Sequence, residues 1–323
     1  EFNTSRWLCV FPANAINASN TENEAYLLPL EEFEKNTRES QEICSKSDVI
    51  VVERNFRFDS LTSIVYWKVR GKVMVGIYDD AFQLIEDSNI SAEYWRGRVK
   101  TKDAEGKEVI QLIFPPPLTQ FEWGLKILHS YTCPSRILVK DWKHVNPNGY
   151  YLPNYFETKF YVPKEKNDEI ITLWWGGSLS HIESFRNSGL ITALESICKE
   201  RSNVKVKICG DDRLMKFFNI PSTQLSFQPF TPYEKWGESI ASGATIGLAP
   251  LAGNYDSRRS WIKVIEYMLL KIPFVASKSL SYQELYQYGK FVNNDYLSWK
   301  NSILNIIDNL KEKQQIASKL PYE

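Results

Sequence analysis

The segment from Ala244 to Ser277 constrains the fold most, because an apolar run, a polar loop, a helix-like stretch and a second apolar run follow one another there. Within the helix-like stretch, Arg259, Lys263 and Glu266 fall inside an arc of roughly 60° at about 100° per residue. The other positions are mostly apolar, as in a helix buried within an α/β domain. Such a helix is expected to turn its polar stripe toward a cleft.

Two interpretations of this stripe stay open. Arg259 and Lys263 in the first helical turns, beside backbone N–H groups, suit a diphosphate, and Glu266 one turn further on suits two ribose hydroxyls. Alternatively, the three side chains form solvated ion pairs at i,i+3 and i,i+4 spacing. Two cations destabilise a helix N-terminus unless an anion offsets them, which favours the anion-binding interpretation.

The composition predicts a globular chain of two domains. Its 323 residues exceed one ordinary hydrophobic core, and 43% hydrophobic with 24% charged residues exclude a disordered protein. Lys plus Arg equals Asp plus Glu at 39 each, so no global field attracts nucleic acid or an anionic membrane. The five scattered cysteines suit reduced thiols and a cytoplasmic protein. No apolar run reaches the ~18 residues of a transmembrane segment, and the histidines lack metal-site spacing.

The second half of the chain predicts a doubly wound parallel sheet. From Ile170 onward, six apolar runs alternate with helix-like segments across short Gly, Asp, Ser or Pro joints. Ligands of such sheets lie beyond the carboxyl ends of the strands. Gly177 and Ser178 follow the first strand and could present amides to phosphate, although glycine pairs also mark ordinary turns. His181 is a candidate donor to phosphate or sugar, or simply begins its helix.

The first half predicts a second α/β domain. The charged stretch at 156–169 is the linker candidate, which gives domains of residues 1–160 and 161–323. The last amphipathic segment, 296–318, is long enough to reach back to the first domain. The segments interpreted as strands are 6–13, 47–55, 72–80 and 135–142, with helices at 59–71 and 118–131.

Asp79 and Asp80 end one of these strands as a pair of carboxylates. They could orient or deprotonate an acceptor hydroxyl. Equally, one could cap the next helix while the other faces water. With His181, they are the candidate catalytic residues.

The run GLAPL followed by YDSRRSWIKVIEYMLLKIPFVAS resembles the donor-binding region of retaining GT-B glycosyltransferases, particularly glycosyltransferase family 4. The matching positions follow a basic-Ser-x-x-Lys-x-x-Glu-Tyr pattern and the strand after it: Arg259, Ser260, Lys263, Glu266, Tyr267, Pro273, Ala276 and Ser277. Further similar pieces, in order, are SDVIVVERN, KVMVGIYDD, YLPNY, WWGGSLSH, ICGDD and FQPFTPYEKW. The resemblance spans most of the chain and is specific within residues 170–280.

This resemblance implies a GT-B fold, with two Rossmann-like doubly wound domains facing each other across a cleft. It implies that Arg259 and Lys263 contact the donor diphosphate, that Glu266 contacts the ribose, and that Gly177 and Ser178 approach phosphate. The base contacts would come from residues 230–233. The amides implied to contact the transferred sugar are those of Gly253, Asn254, Tyr255 and Asp256, and Ser260 completes the donor-binding set.

Three departures from the family pattern are visible. Arg258 stands where many members have a first glutamate, Lys271 stands where Gly is usual, and the loop after residue 13 lacks the usual glycines. The sequence still predicts transfer of a hexose-type sugar from a nucleotide diphosphate sugar to an acceptor hydroxyl, with retention and without a metal or other cofactor. The acceptor stays open between glycan, lipid-linked and protein molecules. The alternatives are a GT-B sugar-nucleotide epimerase and a catalytically silent nucleotide-sugar-binding module.

Overall fold

A computed structural model describes residues 5–54, 58–89, 91–165 and 169–319. The chain divides into two compact units, the first ending at Phe156 and the second beginning at Glu157. The 3₁₀ turn Thr158–Phe160 therefore lies in the second unit rather than before the boundary predicted after residue 160. Its position has a physical reason, because the Phe160 ring packs edge-on against Tyr233 with centroids 5.5 Å apart.

The first unit contains a parallel sheet and a separate hairpin. Its strands are β1 (Val49–Glu53), β2 (Val73–Ile77), β3 (Arg98–Lys102), β4 (Glu108–Leu112), β5 (Ser130–Cys133) and β6 (Gly149–Tyr151). The order β1-β2-β5-β6 is parallel throughout, and β3 pairs with β4 antiparallel. Its α-helices are α1 (Phe11–Ala18), α2 (Leu30–Lys35), α3 (Arg38–Lys46), α4 (Phe58–Lys68), α5 (Ala92–Trp95), α6 (Pro117–Ile127) and α7 (Arg136–Trp142).

Two segments of the first unit predicted as strands are helical. The run at 6–13 forms a π-helical turn, Arg6–Val10, that continues into α1 and buries Leu8 and Phe11. The run at 135–142 forms α7, which buries Leu138 and Trp142. Both predictions were wrong because a short apolar run does not distinguish a strand from a buried helix. In α7 the buried pair at i,i+4 spacing is the helical signal.

The second unit is built on one six-stranded parallel sheet, which confirms the doubly wound prediction. Its strands are β7 (Ile171–Gly177), β8 (Val204–Gly210), β9 (Leu225–Pro229), β10 (Ile246–Ala249), β11 (Phe274–Ser277) and β12 (Lys290–Val292). Their spatial order is β12-β11-β10-β7-β8-β9. The chain thus moves outward from β7 through β8 to β9, returns to β10 on the other side of β7, and continues to β12.

α-Helices and 3₁₀ turns fill the connections of this sheet, and two further helices follow its last strand. The helices are α8 (Ile182–Ser188), α9 (Leu190–Glu200), α10 (Tyr233–Gly243), α11 (Gly253–Asp256), α12 (Ile262–Leu269), α13 (Tyr296–Asp308) and α14 (Leu310–Ser318), with 3₁₀ turns at Leu179–His181, Asp212–Phe217 and Leu280–Leu285. The predicted helix at 296–318 is therefore two helices that meet at Asn309. Trp299 and Ile303 of α13 are fully buried in the core of the second unit. The predicted contact of this segment with the first domain stays a prediction.

No helix within the described residues is both long and apolar enough to cross a membrane.

Candidate functional site

The strand order reverses between β7 and β10, which lie next to each other in the sheet. The segments that leave the carboxyl ends of these two strands, called strand exits below, are therefore neighbours. β7 pairs with β8 on one edge and with β10 on the other. Open parallel sheets bind ligands beyond the carboxyl ends of their strands, at the point where the strand order reverses. The exit of β7, residues 177–181, and the exit of β10, residues 250–256, meet at that point. The predicted donor-site residues lie on these exits or on the segment and helix that follow α11.

Lys263 extends from α12 to the end of β7. Its ammonium group donates a hydrogen bond to the Gly176 carbonyl and lies 4.9 Å from the centre of the Trp175 ring. A Cβ atom on Gly177 would lie 3.0 Å from Lys263 Nζ. The same Cβ would lie 2.7 Å from the Trp175 ring, so Gly177 leaves room for both the tryptophan and the lysine at the strand end.

Arg259 forms a buried ion pair with Asp256. Arg259 Nε lies 2.8 Å from Asp256 Oδ1, and the two side chains are only 14% and 2% exposed. The Ser184 hydroxyl donates to the other oxygen of Asp256. Arg259 Nη2 also donates to Tyr255 and Ser180, each at 3.2 Å. An i,i+3 pair is thus present, but it is desolvated rather than solvated.

The prediction that Arg259 lies in the first turns of the same helix as Lys263 is wrong. α12 begins at Ile262, and Arg259 belongs to a turn whose amide donates to the Asp256 carbonyl at 3.2 Å. Arg259 instead follows α11, which ends at Asp256, and lies before α12. Ser260 is half-buried between this turn and α12.

His181 lies against the same guanidinium. Its Nε2 is 2.6 Å from Arg259 Nη1, and because a guanidinium can only donate, Nε2 accepts and the ring proton lies on Nδ1. Burial, followed by the positive charges of Arg259 and Lys263, holds the pKa of His181 well below its ordinary value. His181 is therefore neutral. Among the described residues, its buried Nδ1 has no hydrogen-bond partner.

Glu266 is 4% exposed and points into the second unit. Its Oε1 accepts hydrogen bonds from the Tyr161 hydroxyl at 3.1 Å and from Trp236 Nε1 at 2.8 Å. Burial raises the pKa of Glu266 to about 7, against the opposing charge of Lys263. Burial likewise lowers the pKa of Lys263 to about 8, although Glu266 acts against that shift.

Sequence reasoning missed Tyr161 and Trp236 as partners of the site. Tyr161 precedes the first strand of the second unit, and Trp236 lies on α10. Both are buried. An aromatic residue in a buried helix usually signals core packing, so the sequence offered no signal that their polar atoms meet one carboxylate.

The remaining predicted donor residues lie around this cluster. Ser178 is exposed and its hydroxyl is 2.7 Å from that of Ser180. Gly253 has a φ of 86°, a conformation that favours glycine, and begins α11. Asn254 is exposed, and its carbonyl accepts a hydrogen bond from Arg258 at 2.9 Å.

Asp79 and Asp80 lie in the first unit, directly after β2, together with Arg54. Arg54 Nε is 2.5 Å from Asp79 Oδ1, and Arg54 Nη2 is 3.0 Å from Asp80 Oδ2. Ala81, rather than either aspartate, stands at the N-cap of the 3₁₀ turn that follows. The carboxylates are therefore an ion-paired cluster with an arginine that sequence reasoning did not include.

Two Rossmann-like α/β units with parallel sheets define the GT-B fold. The Anabaena protein Alr3699/HepE, solved with UDP and glucose, has a TM-score of 0.60 and 13% identity over 90% of this chain and 77% of that one. A Staphylococcus aureus TarM variant, solved with UDP among other ligands, has a TM-score of 0.57 and 14% identity over 84% of this chain and 50% of that one. A Listeria monocytogenes protein described as a UDP-N-acetylglucosamine 2-epimerase has a TM-score of 0.50 and 9% identity.

This chain therefore spans about half the length of TarM. No protein-family model matches the chain, and no curated protein matches it in sequence.

We expect Asp256→Asn to destabilise the protein by about 3–5 kcal/mol, because it leaves the Arg259 cation buried without its counter-charge. The measurement is the urea midpoint of the second unit. Asp212→Asn, an exposed control nearby, should change stability by no more than about 0.5 kcal/mol. Equal midpoints for the two variants would contradict the importance of the ion pair.

Proposed function

We propose that this chain is a glycosyltransferase of the retaining family 4 type. It transfers a hexose-type sugar from a nucleotide diphosphate sugar to an acceptor hydroxyl, without a metal. The observation that carries the proposal is the pair of desolvated cations, Arg259 and Lys263, at the strand-order reversal beside β7. The likeness in fold to proteins solved with UDP supports a uridine nucleotide as the first donor to test.

The diphosphate would lie between Arg259 and Lys263, with the Gly177 and Ser178 amides on the side of β7. The transferred sugar would contact the amides of α11, starting at Gly253. Departure of the diphosphate concentrates negative charge on its oxygens in the transition state. Cations that are already fixed and desolvated stabilise that charge without reorganising, which lowers the barrier.

Glu266 would bind the ribose. Two hydrogen bonds to Oε1, from Tyr161 and Trp236, fix the carboxylate, while no described residue donates to Oε2. A fixed carboxylate with one available oxygen suits the hydroxyls of a ribose.

A sugar-nucleotide epimerase is the second candidate function. The observation in its favour is His181, whose Nδ1 is an unsatisfied donor beside both cations. Epimerisation returns a nucleotide sugar and needs no acceptor. Incubating the protein with a UDP-sugar, with and without an acceptor, therefore separates the two: an altered UDP-sugar without acceptor indicates an epimerase, and free UDP that accumulates only with an acceptor indicates a transferase.

The proposal predicts that Lys263→Ala and Arg259→Ala each weaken UDP binding by about 10- to 100-fold, since each removes a charge-assisted contact of ~1.5–3 kcal/mol. Isothermal titration calorimetry with UDP and uridine measures the loss. Lys271→Ala, an exposed lysine just beyond α12, is the matched control and should bind normally. Equal affinity of the unchanged protein for UDP and uridine would overturn the diphosphate site.

UDP binding should take up protons at about pH 8. The pKa of Lys263 is lowered to about 8 in the free protein, and a bound diphosphate favours the charged ammonium and raises it again. Affinity should therefore fall as pH rises from about 7 to about 9. Calorimetry in two buffers of different ionisation enthalpy measures the uptake, and Lys263→Arg, always protonated, should lose most of it. The same uptake in that variant would assign it to another group.

Glu266→Gln and Tyr161→Phe should weaken UDP more than 2′,3′-dideoxy-UDP. The first change weakens the acceptor for the ribose hydroxyls, and the second removes one of the two donors that fix it. The ratio of the two affinities is the measurement. If the unchanged protein binds both nucleotides equally well, Glu266 has a structural function only.

Asp79→Asn and Asp80→Asn should differ from each other if one carboxylate orients the acceptor. The residue that touches the acceptor should reduce transfer by at least ~100-fold at unchanged UDP affinity. The other should affect stability through the loss of its Arg54 contact. Transfer rates within about twofold of the unchanged protein for both variants would make the pair structural.

A further inference from the structure

The β3–β4 hairpin of the first unit has two chemically different edges. Main-chain bonds from Ile113 N to Gly97 O and from Asp103 N to Lys107 O set its hydrogen-bonded register. Directly opposite pairs alternate between bonded and non-bonded along an antiparallel ladder. The pairs Arg98–Leu112, Lys100–Ile110 and Lys102–Glu108 are therefore the non-bonded pairs. Their N–H and C=O groups point away from the hairpin.

On β3, every position with outward main-chain groups is a cation: Arg98, Lys100 and Lys102. Charged side chains of this kind protect an edge strand from pairing. The first of these cations also pairs with α5, since Arg98 Nη1 is 3.6 Å from Glu93 Oε2. The β3 edge is therefore protected by charge.

On β4, the corresponding positions are Glu108, Ile110 and Leu112. Ile110 is 61% exposed and Leu112 is 72% exposed. In the described part of the chain no third strand pairs with β4. An exposed, apolar strand edge is a template for pairing with another strand, and a two-stranded hairpin alone is only marginally stable.

We propose that β4 pairs antiparallel with β4 of a second copy of this chain, about a two-fold axis at Ile110. Ile110 then faces its own equivalent, and Glu108 faces Leu112, so that no like charges are opposed. The outward groups of these positions form about six main-chain hydrogen bonds. The apolar side chains of both copies lie on one face of the resulting four-stranded sheet.

The charge of β3 explains why such pairing stops at two copies. After β4 pairs, the outer strands of the sheet are the two β3 strands, and both carry the three cations. An isologous contact of this kind is closed and does not extend into a fibre. The contact is short, so the dimer is weak and forms with rising protein concentration.

Ile110→Cys tests the axis directly. Residues in a bonded antiparallel pair have Cα atoms ~5.5 Å apart, within the range of a disulfide. Mild oxidation should cross-link this variant rapidly into a dimer on non-reducing gels. Lys100→Cys, on the same face of the neighbouring strand, is the matched control and should cross-link no faster than the unchanged protein with its free cysteines.

Sedimentation equilibrium over a wide concentration range gives the second measurement. The unchanged protein should show a monomer–dimer equilibrium, and Ile110→Lys should weaken the dimer by about tenfold or more, because two lysines would face each other on the axis. Circular dichroism checks that this variant is folded. A protein that stays monomeric throughout, a dimer unaffected by Ile110→Lys, or equal cross-linking of both cysteine variants would overturn the proposal.

Discussion

The pairing of β7 with both β8 and β10 is the interaction on which the rest of the second unit depends. It places the exits of β7 and β10 next to each other, where Lys263 of α12 reaches the end of β7. The glycines at the end of β7 are part of the same constraint, because a Cβ on Gly176 would lie 2.4 Å from Trp174 and 2.6 Å from Trp236. A bulkier strand end would therefore displace Trp236, and with it one of the two hydrogen bonds to Glu266.

The charges of the site are balanced within the second unit before any ligand is considered. Asp256 forms an ion pair with Arg259. The negative charge of Glu266 raises the pKa of Lys263, against the effect of burial. Carboxylates of the protein itself thus offset two cations close to a helix N-terminus; the sequence indicated such pairing for Glu266 but not for Asp256. Buried ion pairs gain little net stability, since desolvation costs about as much as the attraction returns. Under the proposed function, these ion pairs hold both cations in place for a diphosphate.

The sheet of the second half was predictable because its apolar runs alternate regularly with Gly exits and helix-like joints. All six strands of its sheet were expected from that alternation. The first half has short apolar runs without clear periods, and there the segments at 6–13 and 135–142 were assigned the wrong structure. At the site, the residue types were predictable but their partners were not. The contacts of Glu266 with Tyr161 and of Asp79 with Arg54 join residues distant in sequence.

Besides burial, the two cations proposed to bind phosphate lower the pKa of His181. In the free protein their charges, added to burial, keep the pKa of His181 low, so that the ring is neutral and Nδ1 carries its only proton. Under the proposed function, a bound diphosphate places several negative charges against Arg259 and Lys263. That reverses the local field, which raises the pKa of His181 while burial still opposes it. Negative charge in the loaded site would therefore also favour a hydrogen bond from Nδ1–H, the one ring proton, to a diphosphate oxygen, while Nε2 still accepts from Arg259.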